Sequence, residues 1–322
     1  MMRILGKTRH RKPIQRSTTR LPAKTERLKK MTRNRFDYFI TPMAALPAVL
    51  VGAVAMKSHA VNWLIATSNL VFVVVGWLIS CYVIYKNSKS INGTLLTCLI
   101  IALYALTFVD PGIDNVHRWL SFGPINLYIS SIFAPILIIE LWTLLKNNKD
   151  LWVSAITITV AILLVLQPDA SQLTAFSIPM GIMIYHKINN KFISSSTIGI
   201  LVLLVILSWI HLDSLPAVDY VEEILGLVMN MGFIWTILGI VSLILIPLPF
   251  FVTLNHNERL LSRFLGLYFT ILIITTFLGN FPVPLMGYGI SPIAGYLLAM
   301  TWMIKNKDDK HPSSPAIDAL PL

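Results

Sequence analysis

The chain has 322 residues, of which 55% are hydrophobic and only 13% charged. An ordinary soluble domain carries about 25% charged residues, so this composition excludes a soluble globular enzyme and implies a chain folded largely in lipid. The net charge is +11, and the only cysteines, Cys81 and Cys98, provide neither a disulfide framework nor metal-site spacing; both fall inside apolar runs and read as small buried residues.

Residues 1–38 hold 13 Lys or Arg and no apolar block. A signal peptide needs an apolar core, so this segment is not one. Polybasic arms bind nucleic acid or acidic lipid, or set topology from the cytoplasm. We read residues 1–38 as a disordered cytoplasmic tail and expect no nucleic-acid partner.

Apolar runs then follow one another closely. A helix needs about 20 mostly apolar residues to span a bilayer. We place ten spans at 40–56, 61–85, 91–109, 126–145, 151–167, 171–186, 193–210, 221–246, 260–279 and 285–304. The predicted fold is an all-α polytopic membrane protein, with one membrane domain over 39–305 and a short cytoplasmic tail over 306–322. With the basic tail inside, eleven Lys or Arg lie in inner loops and two, Lys57 and Arg118, in outer loops. Cytoplasmic loops carry such an excess, so both termini are predicted to be cytoplasmic. Ser90 and Asn257 then face the cytoplasm, and Asn115 and Ser214 face outward.

The outer loops collect the acids. Asp110, Asp114, Asp169, Asp213, Asp219, Glu222 and Glu223 all fall there, with His117 and His211. Asp169 belongs to "QPDAS" (167–171), a tight hairpin between spans five and six, where Pro168 favours a turn. This reading puts Asp169 at the water interface as the cap of span six. Glu140 is the one acid inside a span, near Lys146 and the inner interface. Snorkelling or pairing accounts for it, with proton coupling as the alternative.

Four segments, in this order, resemble a known family. They are "HRWLSFGPINL" (117–127), "LLVLQPDAS" (163–171), "SLPAVDYVEEILG" (214–226) and "FPVPLMGYGIS" (281–291). They are similar to the Arg-Trp-Ile-x-x-Gly-Pro, Leu-Gln-Pro-Asp, Leu-Pro-Glu-x-His-Thr-Asp-Phe and Pro-Leu-Pro-Phe-Ile-Ser-Tyr-Gly-Gly-Ser segments of the SEDS family (FtsW, RodA and SpoVE type). The resemblance covers roughly 36–304. It implies a SEDS-like bundle in the bacterial cytoplasmic membrane, acting in cell-wall synthesis, division or shape. It further implies a peptidoglycan glycosyltransferase that polymerises lipid II, an undecaprenyl-linked precursor, on the outer face beside a class B penicillin-binding protein. The family's catalytic acid maps by position onto Asp219, and Arg118, Trp119, Asp169 and Tyr288 become substrate-binding candidates.

The chemistry is consistent with these residue types. Glycosyl transfer needs a base for the attacking hydroxyl, a task a carboxylate performs. The departing lipid pyrophosphate needs a cation, which Arg118 supplies. No cofactor can be named; a divalent cation on outer carboxylates would add charge, yet no spacing defines a metal site. Each residue also has a structural reading. Asp219 would cap span eight, with Glu222 and Glu223 favouring that helix start. Arg118 and Trp119 would anchor the interface, and Gly287 and Gly289 would let the backbone bend around Tyr288.

The sequence departs from the family at the Gln-Pro-Ser-Glu segment, which reads Tyr128, Ile129, Ser130 and Ser131 here, with Ala134 near the family's Lys. The outer loop before span eight is also short. Three readings therefore stand: a divergent lipid II polymerase, a non-catalytic SEDS-like scaffold or precursor-binding protein, and a transporter or flippase.

Overall fold

A computed structural model describes residues 41–86, 92–114, 116–123, 125–252 and 259–308; for 41, 42 and 306–308 it describes the backbone alone. The basic tail over 1–38, most of the tail over 306–322, and Ser90, Asn115 and Asn257 lie outside the described residues. A 3-10 turn over Thr41–Ala45 leads into α1 (Leu46–Ser58), whose Pro47 sits in the first turn, where a missing N–H costs nothing. Then come α2 (Trp63–Lys86), α3 (Gly93–Leu106), a ribbon of β1 (Trp119–Phe122) and β2 (Ile125–Tyr128), and α4 (Ile129–Lys146). The chain continues through α5 (Asp150–Leu166), α6 (Ala170–Lys187), α7 (Lys191–Ile210), α8 (Ile224–Asn230), α9 (Phe233–Leu245) and α10 (Leu248–Val252). It closes with α11 (Arg259–Thr275) and α12 (Ile290–Asp308). This is the all-α, polytopic membrane architecture expected from the apolar pattern.

Among the described residues three helices, α2, α4 and α7, are long and apolar enough to cross a membrane by themselves. They differ in surroundings. The apolar stretch of α4 is 67% buried, whereas those of α2 and α7 are 22% buried. A helix apolar all round is either in a core or in lipid, so α4 is a core helix and α2 and α7 turn most of their surface to lipid. Around α4 pack α12, α6 and α11, and their inner faces carry the fully buried Phe176, Tyr268 and Tyr296. The approach is close where α12 crosses α4: a Cβ on Gly295 would collide with the carbonyl oxygens of Ser131 and Ile132. Cys98 is exposed on α3 and Cys81 half-buried on α2, so neither is the fully buried residue expected.

Three spans differ from their predicted form. Residues 126–128 are strand rather than helix: Trp119 pairs with Tyr128 and Phe122 with Ile125 in an antiparallel ribbon, turned by Gly123 at φ +62. Span eight is broken into α8 and α9 at Gly232, whose φ of +109 ends the helical run; L side chains rarely adopt this conformation. Span ten begins only at Ile290. The preceding 280–289 runs without helix because Pro282 and Pro284 lack the N–H groups a helix interior needs. Asn92 and Asn190 cap α3 and α7 by accepting backbone N–H bonds, as short polar side chains do.

Candidate functional site

The loops carrying the four motifs gather at one end of the bundle. The Gln167-Pro168-Asp169 turn is at the centre, and it is not solvated. Asp169 is 0% exposed, which corrects its expected place at the water interface. It does cap α6, its Oδ1 accepting the Gln172 N–H at 3.2 Å. Its Oδ2 accepts Tyr128 Oη–H at 2.6 Å and Ser130 Oγ–H at 3.2 Å. Burial holds this carboxyl above its ordinary value, opposed by the nearby Arg118 charge and these hydrogen bonds. Gln167 is equally buried and donates Nε2–H to Thr107 Oγ1 at 2.8 Å and to the Tyr104 carbonyl at 3.2 Å. Gln172 accepts Tyr268 Oη–H at 2.8 Å. The turn is therefore a rivet joining α3, α4, α6 and α11.

Arg118, just before β1, reaches this rivet. It is 4% exposed. Its Nε–H donates to the Gln167 carbonyl at 3.2 Å, and Nη2 donates to the Pro168 carbonyl and to Asp213 Oδ2. Arg118 and Asp213 form a largely buried salt bridge. Asp213 comes from the loop between α7 and α8, and its Oδ1 accepts the Leu215 N–H at 3.0 Å. A lone buried cation costs several kcal/mol, which explains why an acid joins it.

Beside this pair opens a cavity of about 480 Å³. Arg118, Trp119, Asp213, Glu222 and Tyr288 line it. Tyr128 lines it as well, its ring 6.0 Å from that of Trp119. Glu222 accepts the Val218 N–H at 2.9 Å, and burial raises its carboxyl above the ordinary value. Tyr288 is fixed by its backbone, donating N–H to the Tyr220 carbonyl at 2.8 Å, with the two rings meeting edge to face at 6.1 Å. Gly287 lets this happen, because a Cβ there would strike the Val221 carbonyl.

Of the five residues singled out from sequence, Arg118, Trp119 and Tyr288 come together in the cavity wall. Asp169 stands behind the wall and touches the cavity through Tyr128. Asp219 is exposed in a turn and is not among the lining residues. Nor does it cap a helix: α8 starts at Ile224, and its N-cap, Glu223, makes no side-chain cap bond. The short loop turns Asp213 and Glu222 inward instead. Sequence reading left out Asn69 of α2, which is 2% exposed. It donates Nδ2–H to the Gly287 carbonyl at 2.9 Å and accepts the Gly289 N–H at 3.2 Å. A lone Asn in an apolar span was the available signal, since such groups are costly in lipid unless bonded. Glu140 lies far along α4 from Tyr128, its carboxylate against Gly93 at the start of α3. Lys146, expected beside it, rests its Nζ 5.2 Å from the Trp142 ring. Among the described residues no three His, Cys, Asp or Glu side chains are grouped to hold a metal.

No protein-family model matches the chain, and no curated protein matches it. Solved structures do. The chain resembles the rod shape determining protein RodA of Thermus thermophilus with a TM-score of 0.61 and 18% identity, covering 84% of this chain and 96% of that one. A mutant of the same RodA gives a TM-score of 0.62 and 17% identity, covering 84% of this chain and 97% of that one. The chain has the SEDS-like fold of RodA.

Proposed function

From this RodA-like fold, we propose that the protein is a SEDS-like membrane protein of cell-wall synthesis that binds an undecaprenyl-linked precursor and polymerises it by glycosyl transfer. One observation carries the reading: a buried Arg118 and a half-buried Glu222 line the same cavity. In the proposed step Glu222 takes the proton of the acceptor sugar hydroxyl. That oxygen bonds to the donor's anomeric carbon, and the bond to the lipid pyrophosphate breaks. The pyrophosphate leaves with the electron pair, its charge facing Arg118. Trp119, Tyr128 and Tyr288 offer ring faces to the sugars. Asp169 acts through Tyr128, which it orients. The proposed setting is the bacterial cytoplasmic membrane with the cavity outward, lipid II as precursor and a class B penicillin-binding protein as partner.

Two carboxylates compete for the base: Asp219, assigned by motif position, and Glu222, which lines the cavity. The geometry favours Glu222. A lipid II polymerisation assay on purified protein, alone and with a class B penicillin-binding protein, tests this. Glu222→Gln is expected to lose a factor of about 10²–10⁴, while Asp219→Asn retains activity. The opposite pattern returns the base to Asp219.

The non-catalytic scaffold is the second reading. It is favoured by one observation: Arg118 is already neutralised by Asp213. Precursor binding by wild type without polymerisation, under every partner condition, establishes that reading. The transporter reading has weaker support, since Glu140 of α4 lies against Gly93 at the start of α3 and does not line the cavity.

A further inference from the structure

The cavity's buried cation is held from two sides by groups of different kinds. On one side the Gln167 and Pro168 carbonyls fix Nε and Nη2 of Arg118 to the rigid turn. These acceptors are neutral; Asp169 behind them also acts on the charge, but its oxygens are taken up by Tyr128, Ser130 and the Gln172 N–H. On the other side Asp213 supplies the negative charge. Asp213 sits in 211–217, which has no helix or strand and contributes Leu215, Pro216 and Ala217 to the cavity wall. Among the described hydrogen bonds, Arg118–Asp213 is the one joining 212–217 to another element.

A charge this deeply buried needs a counter-charge. When the cavity is empty, Asp213 provides the one in direct contact, on the cavity side. A phosphate entering the cavity brings the same charge and suits the same guanidinium donors. Phosphate and Asp213 cannot both hold Nη2, and their like charges repel. Loss of the pair would leave Arg118 on its two carbonyls and free the segment around Asp213. We propose that Asp213 stands in for the anionic group of the ligand, and that a pyrophosphate-bearing ligand displaces it, releasing 211–217 from the cavity wall. This deepens the proposed function, on which it rests for the placing of pyrophosphate at Arg118. It makes precursor binding and loop opening one event.

The test uses the full chain in lipid nanodiscs, with inorganic pyrophosphate as probe and titration calorimetry as the affinity readout. A spin label on Ser214→Cys, with Cys81 and Cys98 replaced by Ser, reports the segment's mobility. Pyrophosphate is expected to mobilise the label in otherwise unaltered protein. Asp213→Asn removes the competing charge, so its label is mobile from the start and its affinity rises about tenfold, equivalent to 1.4 kcal/mol. Asp213→Glu keeps the charge and stays near wild type, a check on folding. Arg118→Gln loses binding. If wild type binds pyrophosphate but Asp213→Asn binds it no better, or the label does not move, the displacement idea is wrong while the anion site stands. If neither wild type nor Asp213→Asn binds, both the displacement and the placing of pyrophosphate at Arg118 fall.

Discussion

Tyr128 and Asp169, both buried, are joined by a 2.6 Å hydrogen bond that ties the end of β2 to the start of α6. The phenol lines the cavity on one side and the carboxylate caps a core helix on the other. Asp169→Ala would strand Tyr128 Oη–H, Ser130 Oγ–H and the Gln172 N–H together. Each buried orphan costs about 1–3 kcal/mol, so a loss of about 3–9 kcal/mol is expected by chemical unfolding in mixed micelles. A solvated cap would cost about 0.5–2 kcal/mol; a loss in that lower range would contradict the role given to this bond.

The same carboxyl gives stability a pH slope. Burial raises it above its ordinary value of 3.8, so the folded chain keeps a proton that the unfolded chain gives up. The stabilisation is complete below the ordinary value and is lost as pH rises through the raised one. Wild type should therefore lose unfolding free energy relative to Asp169→Asn as pH rises from about 4 toward neutrality. Parallel curves for the two proteins would show that this group is not the source.

Glu222 predicts a pH dependence of activity with its own sign. A base works deprotonated, and burial lifts this carboxyl above its ordinary 4.5. Polymerisation should fall as pH drops through a value above 4.5. Asp213 also raises this carboxyl, so Asp213→Asn should move the acid limb to lower pH. An acid limb that persists unchanged in Glu222→Gln, on its residual rate, assigns the titration elsewhere.

Asn69 ties a lipid-facing helix to the cavity wall. Asn69→Ala removes both of its bonds to the Gly287–Gly289 backbone, and a cost of about 1–3 kcal/mol is expected. Because Tyr288 sits between those two bonds, precursor affinity should fall as well, measurable by titration with lipid II. Full stability together with unchanged affinity would remove Asn69 from the site.

Hydropathy and charge made much of the fold legible. Apolar run length and spacing fix where a chain can sit in lipid, and the capping role of Asp169 follows from its place in the Gln-Pro-Asp turn, whereas its burial was visible only once the helices had packed. Run length and capping are local properties, and the expected spans at α6 and α7 match the helices closely. The breaks were less visible. Gly232 looked like one more small residue in a span, and its φ follows from how α8 and α9 pack. The strand at 126–128 depends on a partner, since a ribbon's hydrogen bonds belong to two segments.

The candidate site divides in the same way. The sequence by itself determined that Arg118 and Trp119 sit together in one motif and that a group of acids lies in the loops at the same end. Only the tertiary structure decided which acid meets the arginine. Asp213 lies 95 residues from Arg118, and Asp219, six positions further on, faces solvent. A short loop turns successive side chains in different directions, and the direction that wins is the one that gives a buried guanidinium its counter-charge. That cost arises only once the helices have packed and excluded water, so it is written in the folded arrangement and not in the local pattern of residues.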